Sequence, residues 1–478
     1  MLAPFCPSSW RRTIPPDLPM LFPSPISTID AHDELHSDEL MRYKPLGHCC
    51  DILTSLPLDI ARYILSQLPL RGVLNASLVS HAWNQIVSDA ILWRLLFERK
   101  EKWHICTDLL PRLPHIPYKD PTLPFVDWKS VYMNRLELDR RWYTLKTKPR
   151  GDSIAIPFQP SKVPLEGHTN SVYCACISSP TATSPHVYVF SGSRDNNVCI
   201  WDSETGRCLA SLHGHQGSVL SMSYRDGVLL TGSSDNTACL WECSNFSDGP
   251  VFHMTRALRG HNGGVLSVCF DDTWIVTGSR DATVRVWRRM DGQLVHTFYS
   301  HGACVNACSL DRGRVASAAS NGTAFVWDVA TGAIIQNWEG VRRGIASIQL
   351  HDSIGFTGSS DSCIRLWRVS DNACLLKFFA HEQLVRSLCY DQRRELLVSG
   401  GWDGMARVWD MSPTLAHIHD THPTTPIPTP RLLFELRVPH TRVFDVALDV
   451  SHIIVACENH TLWMMNFGSP ELDAHVYA

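Results

Sequence analysis

The chain has 478 residues, a formal net charge of -4 at pH 7 and a pI near 6.6. This balance gives no general reason to expect nucleic acid as a partner, since nucleic-acid-binding domains usually have a pI above about 9. The 17 cysteines are irregularly spaced, with no Cys-x-x-Cys pair, and the sequence shows no leading signal peptide. These features predict reduced thiols in the cytoplasm, the nucleus or both. No apolar run reaches the about 18 residues that a membrane span requires.

The composition and hydrophobic pattern of the chain change near Asp51. Residues 1–50 are rich in proline and then acidic, a composition that cannot bury a core and predicts disorder. Within residues 51–100, Ile60, Ile64 and Leu68 recur one helical turn apart, which predicts a small all-α bundle. Residues 101–160 are predicted to form a helical linker, whose helix runs from Asp127 to Tyr143.

One short pattern then repeats seven times between Leu165 and Phe467: Gly-His or a degenerate equivalent, an apolar alternation, a turn with Asp, and a Trp. His215 and Trp241 are 26 residues apart, and so are the same positions of the next two repeats. Repeats of this length made of short strands predict a seven-bladed β-propeller at 161–468, so the fold is mainly β, with a tail at 469–478.

The last repeat has only three strands before the tail. Ser161 to Leu165 is therefore predicted to supply its fourth strand and to close the ring. Two stretches depart from the repeat, 178–186 in the first blade and 412–431 between the sixth and seventh, and both are predicted to be exposed loops.

Most repeats carry a set of His, Ser or Thr, Asp or Asn, and Trp at fixed spacing, which could be taken for catalytic Ser-His-Asp triads. A structural role is favoured, because an active site occurs once whereas a hydrogen-bonded set that pins each blade must recur. Val341 replaces the histidine in the fifth repeat. The seventh has His440 but Val455 and Met465 at other positions, and is predicted to be the least well pinned.

These repeats resemble the WD-repeat family, whose propellers are interaction platforms, which implies a protein that is not an enzyme. The helical segment resembles an F-box, with Leu56-Pro57 at its start, Ile60 and Ile64 on its first long helix, and Trp83 in the middle. The order of F-box, linker and propeller is similar to the substrate receptors of SCF-type ubiquitin ligases. An ordinary three-helix bundle is the alternative for the helical segment.

The resemblance implies a Skp-type adaptor, a cullin/RING ligase core and a phosphorylated protein substrate as partners, with no cofactor, nucleic acid or membrane. The five residues named above would bind the adaptor, although Ile64 and Trp83 could belong to the bundle core instead. A homodimer through the segment before Asp51 is left open. The alternative function is a propeller scaffold without a role in degradation.

A finer resemblance, to the β-transducin-repeat-containing proteins (β-TrCP), is carried by Val172-Tyr173-Cys174, Ser193 to Asn196, Arg342 to Ala346, Thr357 to Trp367, Leu384 to Arg386 and Arg442 to Phe444. That family reads a doubly phosphorylated Asp-Ser-Gly motif. The resemblance implies a phosphate-reading role for Arg194, Arg343 and Arg386. Tyr173, Ser218, Ser234 and Asn306 would flank them.

Repeat geometry predicts where these side chains lie. The position five residues after the histidine is expected near the mouth of an apolar central channel, and the residue before each turn Asp is expected to open on the same mouth. Arg280 joins the candidate site on this geometry alone. The first set is Tyr173, Leu220, Leu266, Asn306, Ala346, Arg386 and Phe444, and the second is Arg194, Ser234, Arg280, Ser320, Ser360, Trp402 and Glu458.

A guanidinium group can hold a phosphate through two parallel hydrogen bonds, so several arginines at one mouth favour a phosphopeptide. The alternative is that they pair with Glu458 or nearby Asp side chains. Arg285 and Arg365 are predicted to lie on solvated strand faces. His417, His419 and His422 lack Cys or carboxylate partners at a defined spacing, so no metal site is predicted.

Overall fold

The computed structural model describes residues 51–100, 103, 115–116, 125–143, 159–180, 186–245, 249–341, 343–419, 426–438 and 441–468. The predictions for 1–50, for most of 101–160, for His422 and His440 and for the tail lie outside these residues. The chain divides into two compact units, Met1–Ser55 and Leu56–Ala478. The described part of the first unit contains the short helix α1 (Ile52–Ser55), beside which Asp51 accepts a hydrogen bond from the Leu53 backbone.

The second unit begins with four short helices, each started by a residue suited to its position. The Ser80 hydroxyl accepts a hydrogen bond from the Trp83 backbone, and the Asp89 carboxylate accepts one from Ile91, so both residues cap helix N-termini. Pro57 and Pro69 precede the other two helices. The helices are α2 (Leu58–Ser66), α3 (Leu70–Ala76), α4 (His81–Val87) and α5 (Ala90–Glu98).

A longer helix, α6 (Trp128–Tyr143), follows a two-stranded pairing of β1 (His115–Ile116) with β2 (Phe125–Val126). Asp127 holds its N-terminus by accepting hydrogen bonds from the backbone and hydroxyl of Ser130. Sixteen residues at 1.5 Å each make α6 about 24 Å long. Tyr132, near its start, meets Trp93 of α5 edge to face with ring centroids 5.5 Å apart.

The C-terminal end of α6 is bound to the β-sheet part of the unit. Trp142 stacks on Phe467 with ring centroids 3.8 Å apart, and its indole N–H donates to the Val450 carbonyl at 2.9 Å. The Tyr143 hydroxyl donates to the carbonyl of Arg394, whose guanidinium lies over the Trp142 ring. The helix is therefore fastened at both ends, to α5 and to the last two blades.

The remaining strands form seven four-stranded antiparallel sheets, each one blade of a propeller. The first strands of neighbouring blades contact one another in a closed ring, so they are the innermost strands. The strands are β4 (Val172–Ile177), β5 (Tyr188–Ser193), β6 (Val198–Asp202) and β7 (Cys208–Leu212) in blade 1; β8 (Val219–Arg225), β9 (Val228–Ser233), β10 (Thr237–Asn245) and β11 (Val251–Arg259) in blade 2; β12 (Val265–Phe270), β13 (Trp274–Ser279), β14 (Val284–Arg288) and β15 (Leu294–Phe298) in blade 3; β16 (Val305–Asp311), β17 (Arg314–Ala319), β18 (Ala324–Asp328) and β19 (Ile334–Trp338) in blade 4; β20 (Ile345–His351), β21 (Ile354–Ser359), β22 (Cys363–Arg368) and β23 (Cys374–Phe379) in blade 5; β24 (Val385–Asp391), β25 (Leu396–Gly401), β26 (Met405–Asp410) and β27 (Arg431–Arg437) in blade 6; and β28 (Val443–Leu448), β29 (His452–Cys457) and β30 (Leu462–Asn466) in blade 7, which β3 (Ser161–Leu165) completes.

The ring closes as the sequence predicts. The strand β3 pairs antiparallel with β30, with Ser161 opposite Asn466 and Leu165 opposite Leu462. Leu165 and Leu462 are buried in an apolar cluster shared by blades 7 and 1. The predicted closing strand is confirmed, and the two ends of the propeller sequence lie in one sheet.

The prediction of an exposed loop at 412–431 is wrong at its start. Residues Ser412–His419 form a helix, α7, whose Leu415 is buried in the apolar cluster of blades 5 and 6. The Thr414 hydroxyl is also buried and donates to the carbonyl of Pro428. Leu415 and Ile418, one turn apart, therefore pack this helix against the core.

Candidate functional site

The recurring polar residues form one hydrogen-bonded set in each regular blade. In blade 3 the Trp287 indole donates to the Thr277 hydroxyl at 2.9 Å, the hydroxyl reaches His261 Nε2 at 2.7 Å, and His261 Nδ1 meets Asp281 at 2.8 Å. Tryptophan can only donate a hydrogen bond and a carboxylate can only accept one. The direction of each hydrogen bond is therefore fixed: tryptophan donates to threonine, threonine to histidine, and histidine to aspartate. The same contacts recur in blades 1, 2 and 6, which supports a structural role and not a triad at a single active site.

Burial and hydrogen bonding set the protonation of these groups. Burial alone would raise the pKa of Asp281, but hydrogen bonds from Thr283 and His261 outweigh it and lower the pKa to about 2. The carboxylate is therefore charged at neutral pH.

Blade 4 departs from the set, because Asn321 stands in place of the aspartate. The Asn321 amide donates to the backbone carbonyl of His301, and His301 Nδ1 contacts the Thr323 hydroxyl at 2.8 Å. No carboxylate among the described residues lies within ion-pair distance of this ring, and burial lowers the pKa of His301 to about 4.

Blade 5 replaces the missing histidine with an arginine. The side chain of Arg365 is buried and its guanidinium binds Asp361, in a pair that holds the pKa of Asp361 well below its usual range despite burial. The prediction of a solvated Arg365 is therefore wrong, and Arg285 is likewise half-buried, against Gly260. Arg365 lies two residues before Trp367 on the same strand, so alternation places both side chains on one face of the sheet.

The seven positions predicted to share the channel do line one cavity, of about 150 Å³. Its wall is more polar than predicted, since it also contains Ser221, Ser267, Ser347, Ser387 and Asp445. These residues come immediately after five of the seven predicted positions, because a register shift in the first strand of those blades turns two successive side chains inward.

The second predicted set lies at one end of this channel. The backbone N–H of Arg194 donates to Ser171, that of Arg280 to Gly264 and that of Glu458 to Arg442, and the other four blades repeat the contact. Each acceptor directly precedes the innermost strand of its blade, so both loops lie where the innermost strands begin. We call this end of the propeller the mouth.

Four arginines at the mouth are exposed, and three of them, Arg194, Arg280 and Arg343, share one property. No carboxylate of the described residues lies within ion-pair distance of their guanidinium groups, so the alternative of internal pairing has no support there. Arg442 differs: its guanidinium lies 3.8 Å from Glu458 and over the ring of Trp402.

Arg386 occupies the channel itself and donates to the carbonyl of Ala346. Burial lowers the pKa of its guanidinium, and the nearby carboxylate of Asp445 acts in the opposite direction. Burial raises the pKa of Asp445 in turn, although Ser387, the Ala175 backbone and Arg386 stabilise its charge. Sequence reasoning missed Asp445, and its position next to Phe444 in the seventh repeat was the available signal.

The remaining predicted residues of this site frame the mouth. Tyr173 is half-buried, with its ring 5.2 Å from that of Phe444, and Asn306 donates to the Ile345 carbonyl while lining the channel. The carbonyl of Ser218 accepts from the backbone of Ser234, which is exposed. The structure therefore brings all eight predicted residues to the mouth or the channel below it.

The five residues of the predicted adaptor site lie in the short helices and the turns before them. Ile60 and Ile64 are 47% and 40% exposed on one face of α2, while Ala61 and Leu65 form its buried face. Pro57 is exposed, and Leu56 and Trp83 are half-buried. Leu78 and Val79, which follow α3, are 83% and 62% exposed. The alternative that placed Ile64 in the core is wrong, because its face of α2 is open.

The linker contacts the propeller at the end away from the mouth. Val450 lies in the turn after β28 and Arg394 in the turn after β24, where innermost strands end. No helix within the described ranges is both long and apolar enough to cross a bilayer. In those same ranges, no three His, Cys, Asp or Glu side chains converge as metal ligands would.

Comparison with known proteins supports both parts of the chain. An F-box-like model matches residues 53–99, and the model of the WD domain, G-beta repeat, matches 158–202, 206–242, 252–288, 292–328 and 372–410. The unmatched repeats are blades 5 and 7, which lack the regular polar set.

Similar proteins share this organisation over part of their length. The cell division control protein 4 of Saccharomyces cerevisiae is 26% identical over 76% of this chain and 42% of its own length. A probable E3 ubiquitin ligase complex SCF subunit sconB of Arthroderma benhamiae is 27% identical over 34% of this chain and 25% of its own. The chain thus spans less than half of either relative.

Among solved structures, the WD40 β-propeller domain of Doa1 superposes with a TM-score of 0.54, covering 66% of this chain and 98% of that domain, at 22% identity. This likeness shows the fold alone.

Proposed function

We propose, on the premise that this chain is homologous to F-box/WD-repeat proteins, that it is the substrate-recognition subunit of an SCF-type ubiquitin ligase. In this proposal the helices α2 to α5 bind a Skp-type adaptor, through which a cullin/RING core is recruited in the cytoplasm or nucleus. The propeller mouth binds a phosphorylated protein. The observation that carries the proposal is the gathering of three exposed arginines, without carboxylate partners among the described residues, at one end of a propeller whose other end holds the helical linker.

The adaptor half rests on the open apolar residues of the helical part. Ile60, Ile64, Leu78 and Val79 are all more than a third exposed, and apolar residues grouped in this way are typical of interaction surfaces. A short bundle that only had to fold would place them inward. The adaptor is therefore expected to cover this surface.

A pull-down of the adaptor tests this half. Leu56→Ala with Pro57→Ala, and separately Leu78→Asp, are expected to abolish adaptor recovery. Leu78→Asp is expected to do so without lowering the unfolding temperature, since Leu78 is 83% exposed. Met290→Asp is the matched control, because Met290 is 81% exposed but lies on the propeller. If the unaltered chain recovers no adaptor, the non-degradative scaffold is the better description.

The substrate half rests on charge at the mouth. Phosphoserine carries about -1.5 to -2 charges at pH 7, and a guanidinium can donate two parallel hydrogen bonds to it. Exposed Arg194, Arg280 and Arg343 surround the entrance, and Arg386 lies below them in the channel. This arrangement suits a peptide with two phosphates, of the Asp-Ser-Gly type read by the β-TrCP family.

Binding of a doubly phosphorylated Asp-Ser-Gly peptide tests this half. Arg343→Ala and Arg386→Ala are each expected to weaken it by about 1.5 to 3 kcal/mol, the range for hydrogen bonds to charged groups. The control is Arg312→Ala, because Arg312 is exposed in the turn after β16 at the end away from the mouth and pairs with Asp352. Equal affinity for the unphosphorylated peptide would falsify the proposal.

The chain contributes position and no chemistry of its own. Trp142 and Tyr143 fasten α6 to the propeller, and Tyr132 fastens it to α5, so a captured substrate is held at a fixed distance from the adaptor. Holding the substrate near the ubiquitin carried by the ligase core is sufficient to accelerate transfer of ubiquitin to the substrate.

A further inference from the structure

A second cavity, of about 350 Å³, lies where α5, α6 and the turn after β24 meet. Its walls carry Arg99 and Lys100 from the end of α5, Arg135 and Asp139 from α6, and Arg394 from the turn. Trp103 and Tyr143 complete it with aromatic surface. This volume falls at the lower end of the range for small-molecule sites, about 300 to 1,000 Å³.

The wall has four cationic side chains and a single carboxylate. Arg135 is buried with its guanidinium 3.4 Å from Asp139, and the Trp103 indole also donates to that carboxylate at 2.7 Å. The buried Arg394 is held by Asp391, which stands behind the wall. Arg99 and Lys100 have no carboxylate within ion-pair distance in the described part of the chain, so the cavity has a surplus of positive charge.

The four cations differ in what they can offer to a ligand. The Arg394 guanidinium uses three of its five N–H donors on Asp391 and on the carbonyls of Asp449 and Val450, so it has fewer donors left for a ligand than Arg99. Arg99 donates from one nitrogen to the Ser66 carbonyl, which leaves its other donors for the cavity. The Lys100 ammonium stands 5.9 Å from the centre of the Trp103 ring.

We propose that this cavity is a binding site for a small, multiply charged anion of the polyphosphate class. Arg99 and Lys100 donate to it directly, while Arg135 and Arg394 add positive potential from behind. Several converging cations repel one another when two of them have no carboxylate partner among the described residues, and a polyanion between them relieves that repulsion. The bound anion joins α5, α6 and blade 6, so it stiffens the junction between the helices and the propeller.

Calorimetric titration of the full chain with inorganic tripolyphosphate tests this site. We expect saturable binding with one ion per chain, and Lys100→Gln is expected to weaken it about tenfold, at the lower end for loss of one charge-assisted contact because Lys100 is exposed. The matched control is Lys129→Gln. Lys129 is also exposed and stands over a tryptophan, 5.7 Å from Trp93, but lies outside the cavity, so its loss is expected to leave binding unchanged.

The arginines of the mouth also attract anions, so a second variant separates the two places. The double change Arg343→Ala with Arg386→Ala is expected to retain tripolyphosphate binding, and Lys100→Gln is expected to retain binding of the phosphopeptide. Absence of saturable binding, loss of it in the mouth variant, or equal weakening by Lys100→Gln and Lys129→Gln would each overturn the proposal. None of these results bears on capture of the adaptor.

Discussion

The neutral, buried His301 makes blade 4 an acid-sensitive part of the propeller. Its pKa is about 4 in the folded chain against 6.5 for the free side chain, because burial opposes the charge and no described carboxylate offsets it. The unfolded chain takes up a proton more readily, so acid favours unfolding. The stabilisation from His301 is complete above pH 6.5 and is lost as the pH falls toward 4.

The size of this loss follows from the two pKa values. Between pH 7 and pH 5 the free energy of unfolding should fall by about 2 kcal/mol through the protonation of His301 alone. At about 2 °C for each kcal/mol in a domain of this size, the unfolding temperature should fall by roughly 4 °C.

The substitution Asn321→Asp isolates this contribution. It places a carboxylate where Asp281 stands in blade 3, which should raise the pKa of His301 and reduce the loss. Calorimetric unfolding at pH 5 and pH 7 measures the difference, with Ser320→Asp as control, since that exposed neighbour adds the same charge without replacing Asn321. An identical pH dependence in Asn321→Asp and the unaltered chain would refute the reasoning.

Three further changes test other contacts. Arg365→Ala should cost about 3 kcal/mol of stability in thermal unfolding, because Asp361 loses its guanidinium partner, and adding Asp361→Ala should recover part of it. Trp142→Ala removes a buried ring worth about 3 kcal/mol, so limited proteolysis should cleave α6 roughly 100-fold faster while the propeller remains folded. Glu458→Gln frees Arg442 at the mouth and should tighten the phosphopeptide by up to about 1 kcal/mol, whereas weaker binding would contradict the proposed charge effect.

The repeat was sufficient to predict much of the architecture. A fixed spacing from histidine to tryptophan gives each regular blade the same register. Counting five residues from the histidine therefore predicts that Asn306 and Arg386 share one channel, and both line it. The same periodicity exposed the missing strand that β3 supplies. These features depend on a sequence pattern that recurs in every blade. A departure from the pattern in one repeat does not obscure the pattern shared by the others.

What the sequence did not reveal depends on single residues in particular surroundings. Replacement of histidine by Val341 was visible, but not that Arg365 would reach Asp361 in its place. Asp445 looked like an ordinary strand residue until the ring placed it beside Arg386. The cationic cavity joins Arg99 to Arg394, and no local pattern brings residues so distant in sequence together.

The pairing of β3 with β30 also orders the events of synthesis. The ribosome makes Ser161 some three hundred residues before Asn466, so the ring cannot be sealed until β30 has emerged. The helices that precede β3 are released long before this. A nascent chain can therefore present the proposed adaptor surface while it still has no finished mouth with which to hold the proposed substrate.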